Sequence, residues 1–415
     1  MMYKNISVMK RKIFVWAQIV VAAALFGLVT ANVLERLPKE EERAKYIFLM
    51  IGDGMGAANV GVTESYLSYK AGKLGGEQLM FTTFPYYGTA TTHSANKNVT
   101  CSAAAATAIA RGIKINNYML GMQADSTTAP TVSQLLHDEG YQVGIMSTVP
   151  ANHATPAGFY AIAGNREDYY NITKQIPASG YEFIGGAGLY QFNGADNNSQ
   201  PSDEYLEENE YEVCFGVKEF NEKKSSSDKI VYLHESAKNS KPAYYESGET
   251  IKEEDVKLGE MLSLCLDFFN EDEPFFIMCE GGHIDWSSHS NKTMPMVNDV
   301  LEFDGAIKVA YDFYLQHPDE TLIIVTADHE TGGISLGCGN SSINWEMIEN
   351  EWNSAGQKHN LDKEENNALN KAASIGWTTT SHNGSPVPVY AIGKGAEKFM
   401  GRMDNTDIKG KILNK

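Results

Sequence analysis

Several short stretches of this chain are apolar without alternation and are bounded by turn-forming or polar residues. Tyr46–Ile51 (YIFLMI) ends at Gly52-Asp53-Gly54, Val143–Ser147 leads into Thr148-Val149-Pro150, and Phe275–Cys279 leads into Glu280-Gly281-Gly282. Thr321–Thr326 leads into Ala327-Asp328-His329, and Val387–Ile392 follows His382-Asn383-Gly384. Uninterrupted runs of this length read as strands buried on both faces. Helical patterns separate them: alanine-rich Ala103–Ala110, then Thr131–Glu139, then Val297–Tyr314 with Val297, Val300, Leu301, Ile307, Tyr311 and Tyr314 at helical spacing. Strands alternating with helices predict an α/β fold with a large, mostly parallel central sheet flanked by helices on both faces.

The remaining features bound this fold. At 415 residues the chain exceeds a usual single core, so residues 45–415 are expected to form one large domain carrying insertions. Asn193–Lys257 is polar and acidic with weak periodicity and reads as surface decoration. Gly339–Thr380 carries Trp345, Trp352 and Trp377 among Asn, Glu and Lys, and fits a lid or a dimer contact as well as decoration. At the chain start, Lys4, Lys10, Arg11 and Lys12 precede an apolar run from Ile13 to Val29, followed by small residues at Thr30-Ala31-Asn32. This is the pattern of an export signal over residues 1–31, either cleaved or kept as a signal anchor, with residues 32–44 as a spacer. The domain is then expected in the periplasm or outside the cell, with membrane contact only through an uncleaved N-terminal segment. A net charge of −19 argues against nucleic acid as a partner, because phosphate backbones require a basic footprint. The 5 cysteines are too few and too scattered for a disulfide scaffold, and the odd number leaves at least one unpaired within the chain.

The polar residues fall in a pattern. In open parallel sheets the functional crevice lies beyond the carboxyl ends of the strands. Asp53, Glu280, Asp328 and His329 each stand just after an apolar run, and Asp285 and His289 follow Glu280 through a Gly-Gly turn. Gathered at one edge, these carboxylates would repel one another unless cations neutralised them. Mixed His and Asp sets suit zinc, and oxygen-only sets suit magnesium. Thr100-Cys101-Ser102-Ala103-Ala104-Ala105-Ala106 places Ser102 at the start of an alanine helix. There it is either an N-cap or a nucleophile whose ionised form the helix N-terminus favours. No G-x-S-x-G elbow surrounds it, so a metal is the expected activator.

In combination, these motifs resemble the alkaline phosphatases. The resemblance runs from about Tyr46 to Gly393. It is carried by Gly52-Asp53-Gly54-Met55-Gly56, the segment at Ser102, His153-Ala154-Thr155-Pro156-Ala157, Glu280-Gly281-Gly282 with Asp285 and His289, Thr326-Ala327-Asp328-His329-Glu330-Thr331-Gly332-Gly333, and Ser381-His382-Asn383-Gly384. It implies hydrolysis of small phosphate monoesters through a phosphoserine on Ser102, assisted by two zinc ions and one magnesium. By the same resemblance Asp285, His289 and His382 hold one zinc. Asp53, Asp328 and His329 hold the other, and Asp53, Thr155 and Glu280 hold the magnesium. Arg166 in Gly164-Asn165-Arg166 matches the arginine that grips the phosphate, for which a guanidinium fork is suited. Relatives are often dimers, so a homodimer is left open.

The chain departs from the family pattern at three places. Cys101 stands where well-known bacterial members have an aspartate that pairs with the arginine, which predicts a more mobile Arg166. His153 and Trp286 stand where some relatives have Asp and Lys. His153 reads as a residue behind the metals, with a zinc-holding role in the third site as the alternative. Trp286 reads as either a pocket wall or core packing. Among rivals, a sulfatase needs a C-x-P-x-R segment, which Cys101-Ser102-Ala103-Ala104-Ala105 lacks. A two-metal phosphodiesterase of the same superfamily is the nearer alternative.

Overall fold

The computed structural model describes residues 42–238, 252–337, 342–357 and 361–415. The proposed export signal and Cys338 lie outside them. Among the described residues no helix is long and apolar enough to cross a membrane.

The apolar runs form the centre of a ten-stranded sheet. Its strands are β1 (Tyr46–Gly52), β2 (Tyr86–Thr91), β3 (Gln142–Ser147), β4 (Phe183–Gly186), β5 (Glu212–Phe215), β6 (Ile230–Leu233), β7 (Phe275–Gly281) and β8 (Thr321–Thr326), followed past four short strands by β13 (Val387–Gly393) and β14 (Gly401–Asp404). The short ones are β9 (Glu330–Thr331), β10 (Ile334–Ser335), β11 (Gly376–Trp377) and β12 (His382–Asn383), which pair in two small ribbons outside the sheet. The order across the sheet is β14-β2-β13-β8-β1-β7-β3-β4-β6-β5. β1, β7 and β8 are buried along their whole length, which is why their sequences do not alternate. β2 alternates in burial and was not among the runs read from the sequence.

β13 is the antiparallel member, paired against β8 and β2. Its direction has a functional consequence. His382 precedes its strand, yet the reversed direction brings it to the edge where β1, β7 and β8 end.

The two insertions do more than decorate. Asn193–Lys257 contributes β5 and β6, which extend the sheet from β4 by parallel pairing. Its short strands (EVCF and IVYL) sit between acidic stretches that mask their apolar signal. In Gly339–Thr380, helices over Trp345–Ser354 and Lys363–Ala372 lie against the domain. Trp345 donates to Ser65 Oγ at 3.1 Å and Trp377 to Thr293 Oγ1 at 3.1 Å. The ring of Trp377 also covers Gly332, where an added Cβ would come within 2.4 Å of it. Trp377 therefore ties this segment to the loop after β9, and Trp345 ties it to the helix that carries Ser65.

Candidate metal centre

Strand register assembles the site. Glu280 of β7 is level with Ile51 of β1 on one side and Ser147 of β3 on the other, while Ile51 is level with Thr326 of β8. The residues just beyond that level, Asp53 and Asp328, therefore emerge side by side. Gly54 makes the turn after β1 with φ +72°, and an added Cβ there would lie 3.0 Å from the Asp285 Cα. This close approach explains the glycine. The Gly54 N–H donates to Asp328 Oδ1 at 3.1 Å.

Ser102 is the first residue of the helix Ser102–Arg111, and Cys101 occupies the N-cap. Ser102 thus does not cap the helix. Its Oγ lies 3.3 Å from His329 Nε2. All ten residues of this helix are buried, and its alanines allow the close approach expected of them. A Cβ added at Gly158, just after the helix Ala154–Ala157 that carries Thr155, would come within 2.9 Å of Ala106 Cβ. Thr155 Oγ1 donates to Asp53 Oδ2 at 3.4 Å.

The hydrogen-bond network assigns the imidazole tautomers. His289 Nδ1 faces the Thr380 carbonyl at 2.8 Å, and His382 Nδ1 faces the Thr100 carbonyl at 2.9 Å. Each Nδ1 must carry a proton, and each Nε2 is turned inward. The two Nε2 atoms are 3.1 Å apart, with Asp285 Oδ2 3.3 Å from His289 Nε2 and Asp285 Oδ1 3.6 Å from His382 Nε2. Two imidazole lone pairs and a carboxylate at such distances require a cation between them, either a proton or a metal. Burial lowers the His289 pKa, but the Asp285 hydrogen bond and charge outweigh it and leave it raised.

A second convergence centres on His329. Thr331 Oγ1 donates to Asp285 Oδ1 at 2.5 Å and accepts from His329 Nδ1 at 3.2 Å. His329 Nε2 thus presents its lone pair to Asp53 Oδ1 at 3.3 Å and Asp328 Oδ2 at 3.2 Å. Those two carboxylate oxygens, together with Glu280 Oε1, are buried and accept no hydrogen bond. Buried, orphaned carboxylate oxygens are costly. Burial, followed by repulsion from neighbouring carboxylates, pushes Asp328 up to about 8 and Asp53 well above its usual range. Glu280 rises to about 7, chiefly through burial. Burial drives His329 well below its usual value, so its ring is neutral. Burial also raises Asp285, but the His289 hydrogen bond and the surrounding imidazoles reverse this and hold it below the ordinary carboxylate range.

The donor chemistry fits metals at three places. Ligand atoms of Asp285, His289 and His382 lie within 4.8 Å of one another, as do those of Asp53, Asp285 and His329 and those of Asp53, His153 and Glu280. The groupings differ in detail from the sets carried over by resemblance. Asp285 replaces Asp328 in the second, although Asp328 Oδ2 is nearer to His329. His153 appears in the third beside Thr155. Arg166 is half-buried, and its Nη2 lies 3.0 Å from His153 Nε2. The guanidinium thus has His153 as a partner where Cys101 offers it none. Trp286 is half-buried and presents its ring edge-on to His153 at 5.9 Å between centroids, so it walls the site rather than filling the core.

Three contributors were not singled out in the sequence. Thr331 stands inside a quoted motif, but its linking role depends on distances. Ser147 donates to Glu280, and only the β3–β7 register makes them neighbours. Ser287 donates to Asp299 and ties the helix His283–His289 to the long helix Thr293–Gln316, with no motif to signal it.

Comparison with known proteins matches residues 44–190 and 245–415 to the model of one family, alkaline phosphatase. The chain belongs to the alkaline phosphatase family. Alkaline phosphatase 3 of Bacillus subtilis (strain 168) is 29% identical, over 92% of this chain and 91% of that one. Among solved structures, the alkaline phosphatase of the Antarctic bacterium TAB5 is 28% identical with a TM-score of 0.70, covering 90% of this chain and 98% of that one. The cold-active alkaline phosphatase of a psychrophilic Shewanella is 25% identical with a TM-score of 0.74, covering 89% and 99%. The large, mostly parallel sheet is thus the alkaline phosphatase fold, and the chain is a metal-dependent phosphatase that hydrolyses phosphate monoesters. The stretch between residues 190 and 245, which carries β5 and β6, lies outside the family match.

Proposed function

We propose that this alkaline phosphatase works through Ser102 as nucleophile, with two zinc ions held by Asp285, His289 and His382 and by Asp53, Asp328 and His329. A magnesium is held by Asp53, Thr155 and Glu280. When bound, these ions supply charge neutralisation, lower the pKa of coordinated hydroxyls and stabilise the departing alkoxide. The protein's own groups do the rest. The helix N-terminus under Ser102 favours its ionised oxygen. That oxygen bonds to phosphorus as the bond to the departing alcohol breaks, leaving a phosphoserine. Water then attacks phosphorus and releases inorganic phosphate and Ser102. Arg166 offers its guanidinium to the non-bridging oxygens. The Thr100, Thr380 and Thr331 contacts hold a proton on each Nδ1 and aim the Nε2 atoms of His382, His289 and His329 into the site.

The observation that supports this reading best is the pair of convergent lone-pair clusters, His289 Nε2 with His382 Nε2 at 3.1 Å and His329 Nε2 with Asp53 and Asp328. Magnesium in the third position is favoured by the oxygen donors of Asp53, Thr155 and Glu280. A variant of the TAB5 enzyme with histidine replaced by aspartate was solved with magnesium in its M3 site. The basic and apolar N-terminal segment supports export, and a homodimer remains part of this proposal. The test compares a phosphate monoester, a diester and a sulfate ester on the zinc- and magnesium-loaded protein. Preference for the monoester is expected. A faster diester reaction would favour the phosphodiesterase reading instead.

A further inference from the structure

We propose that Asn117 is a positioning residue for the nucleophile: its side-chain amide grips the chain on both sides of Thr100 and so fixes the turn that delivers Ser102. This rests on the reading of Ser102 as the group that bonds to phosphorus. Between β2 and the helix Ser102–Arg111, residues 92–101 form neither strand nor helix, so their backbone groups must find partners outside a ladder. Asn117, half-buried, supplies what a neighbouring strand would. Its Oδ1 accepts the Cys101 N–H at 3.2 Å, and its Nδ2 donates to the Val99 carbonyl at 3.0 Å. The two contacts also fix the orientation of the amide, because an N–H requires its oxygen and a carbonyl requires its amino group. Cys101 is extended, at φ −109° and ψ 162°, and leads directly into Ser102. Asn117 therefore steadies Thr100 from its two flanks, while the Thr100 carbonyl between them meets His382 Nδ1 at 2.9 Å.

Asn117 is itself anchored. Its N–H donates to Asn96 Oδ1 at 3.0 Å, and the turn around it closes with the Met119 N–H on the Asn116 carbonyl at 3.2 Å. Tyr118 in that turn has φ 69°, a conformation that favours glycine. Both polar groups of this strained backbone are used: the N–H donates to Cys101 Sγ at 3.2 Å, and the carbonyl accepts the Arg166 N–H at 2.8 Å. Leu120 and Ala163 then exchange two backbone bonds, each 2.9 Å. Residues 117–120 thus form a strap from the nucleophile turn to the loop that carries Arg166. The Asn117 side chain serves the first end and the Tyr118 backbone the second, so removal of the amide should loosen Ser102 and spare the arginine.

The test times phosphoserine formation by rapid acid quench of the zinc- and magnesium-loaded enzyme with a labelled phosphate monoester. Calorimetry of inorganic phosphate on Ser102→Ala, which needs no turnover, measures binding separately. Asn117→Ala is expected to slow phosphoserine formation by about 10- to 100-fold, the usual cost of a displaced reacting group. In the Ser102→Ala background the same substitution should leave phosphate affinity where it was, because the Arg166 backbone is held through Tyr118. Phosphoserine formation at the parent rate in folded, metal-loaded Asn117→Ala would overturn the proposal, whatever its effect on a urea midpoint. A tenfold loss of phosphate affinity in the Ser102→Ala background would also overturn it, since the whole site would then depend on Asn117. Should Asn117→Ala not fold, Asn117→Gln keeps the amide but carries it one methylene too far, and the same two readings decide. A parent protein that forms no phosphoserine on Ser102 would instead remove the underlying reading.

Discussion

Thr331 donates its hydroxyl proton to Asp285 at 2.5 Å, and so joins the two metal-binding clusters through one oxygen. The same oxygen accepts from His329 Nδ1, which fixes the tautomer of a proposed ligand in the second candidate cluster while orienting a proposed ligand of the first. Thr331→Val keeps the shape and removes both bonds. Outer partners of metal ligands typically contribute 10–100-fold in affinity or activity. Zinc affinity, measured by competition with a chromophoric chelator, is expected to fall by about that factor, with activity rescued by added zinc. Unchanged affinity would show that the linkage is idle.

Ser102→Ala should lose more than about a thousandfold in turnover while keeping its metal content, because it removes the atom proposed to bond to phosphorus and no proposed metal ligand. Acid quench of the parent with labelled substrate should trap phosphate on the Ser102 peptide. Turnover persisting in Ser102→Ala would assign the nucleophile elsewhere.

Arg166→Ala is expected to weaken phosphate inhibition by about tenfold or more, since a charge-assisted contact is lost. The Michaelis constant should rise with it. An unchanged inhibition constant would remove Arg166 from the phosphate site.

The outline of the fold and the gathering of the candidate ligands at one sheet edge were legible in the sequence for a physical reason. Strands buried on both faces cannot alternate, so YIFLMI and its counterparts stood out, and polar groups at their ends had no core role to explain them. Strands toward the two ends of the sheet gave weaker signals. β2 alternates, while β5 and β6 are only four residues each within acidic sequence, so Asn193–Lys257 read as decoration although it extends the sheet. Spacing also could not show that β13 runs antiparallel, which is what returns His382 to the shared edge. Nor could it show Arg166 meeting His153, because a pairing across a folded loop leaves no pattern in composition.

The metal-free protein should lose stability as pH rises. Burial raises Glu280 to about 7 and Asp328 to about 8, far above their unfolded values. Between about pH 6.5 and 8 the folded state therefore binds more protons than the unfolded chain, and its stability falls through that window. Below it His153, His234, His283, His329 and His382, all lowered by burial, act with the opposite sign, as Asp285 does below its ordinary carboxylate range. In chelator the urea midpoint is expected to drop from about pH 6.5 to pH 8. With metals present the drop should vanish or reverse, because ionised carboxylates are the ligating form. A rising midpoint in chelator would contradict the raised carboxyls.

The most direct test removes and restores the cations. Exhaustive chelation followed by elemental analysis and assay with a phosphate monoester is expected to abolish activity. Readdition should restore it at about two zinc ions and one magnesium per chain. Full activity in a chain shown to carry no metal would contradict the account, because Asp53, Asp285, Asp328 and Glu280 would then have to share one buried edge with no cation among them.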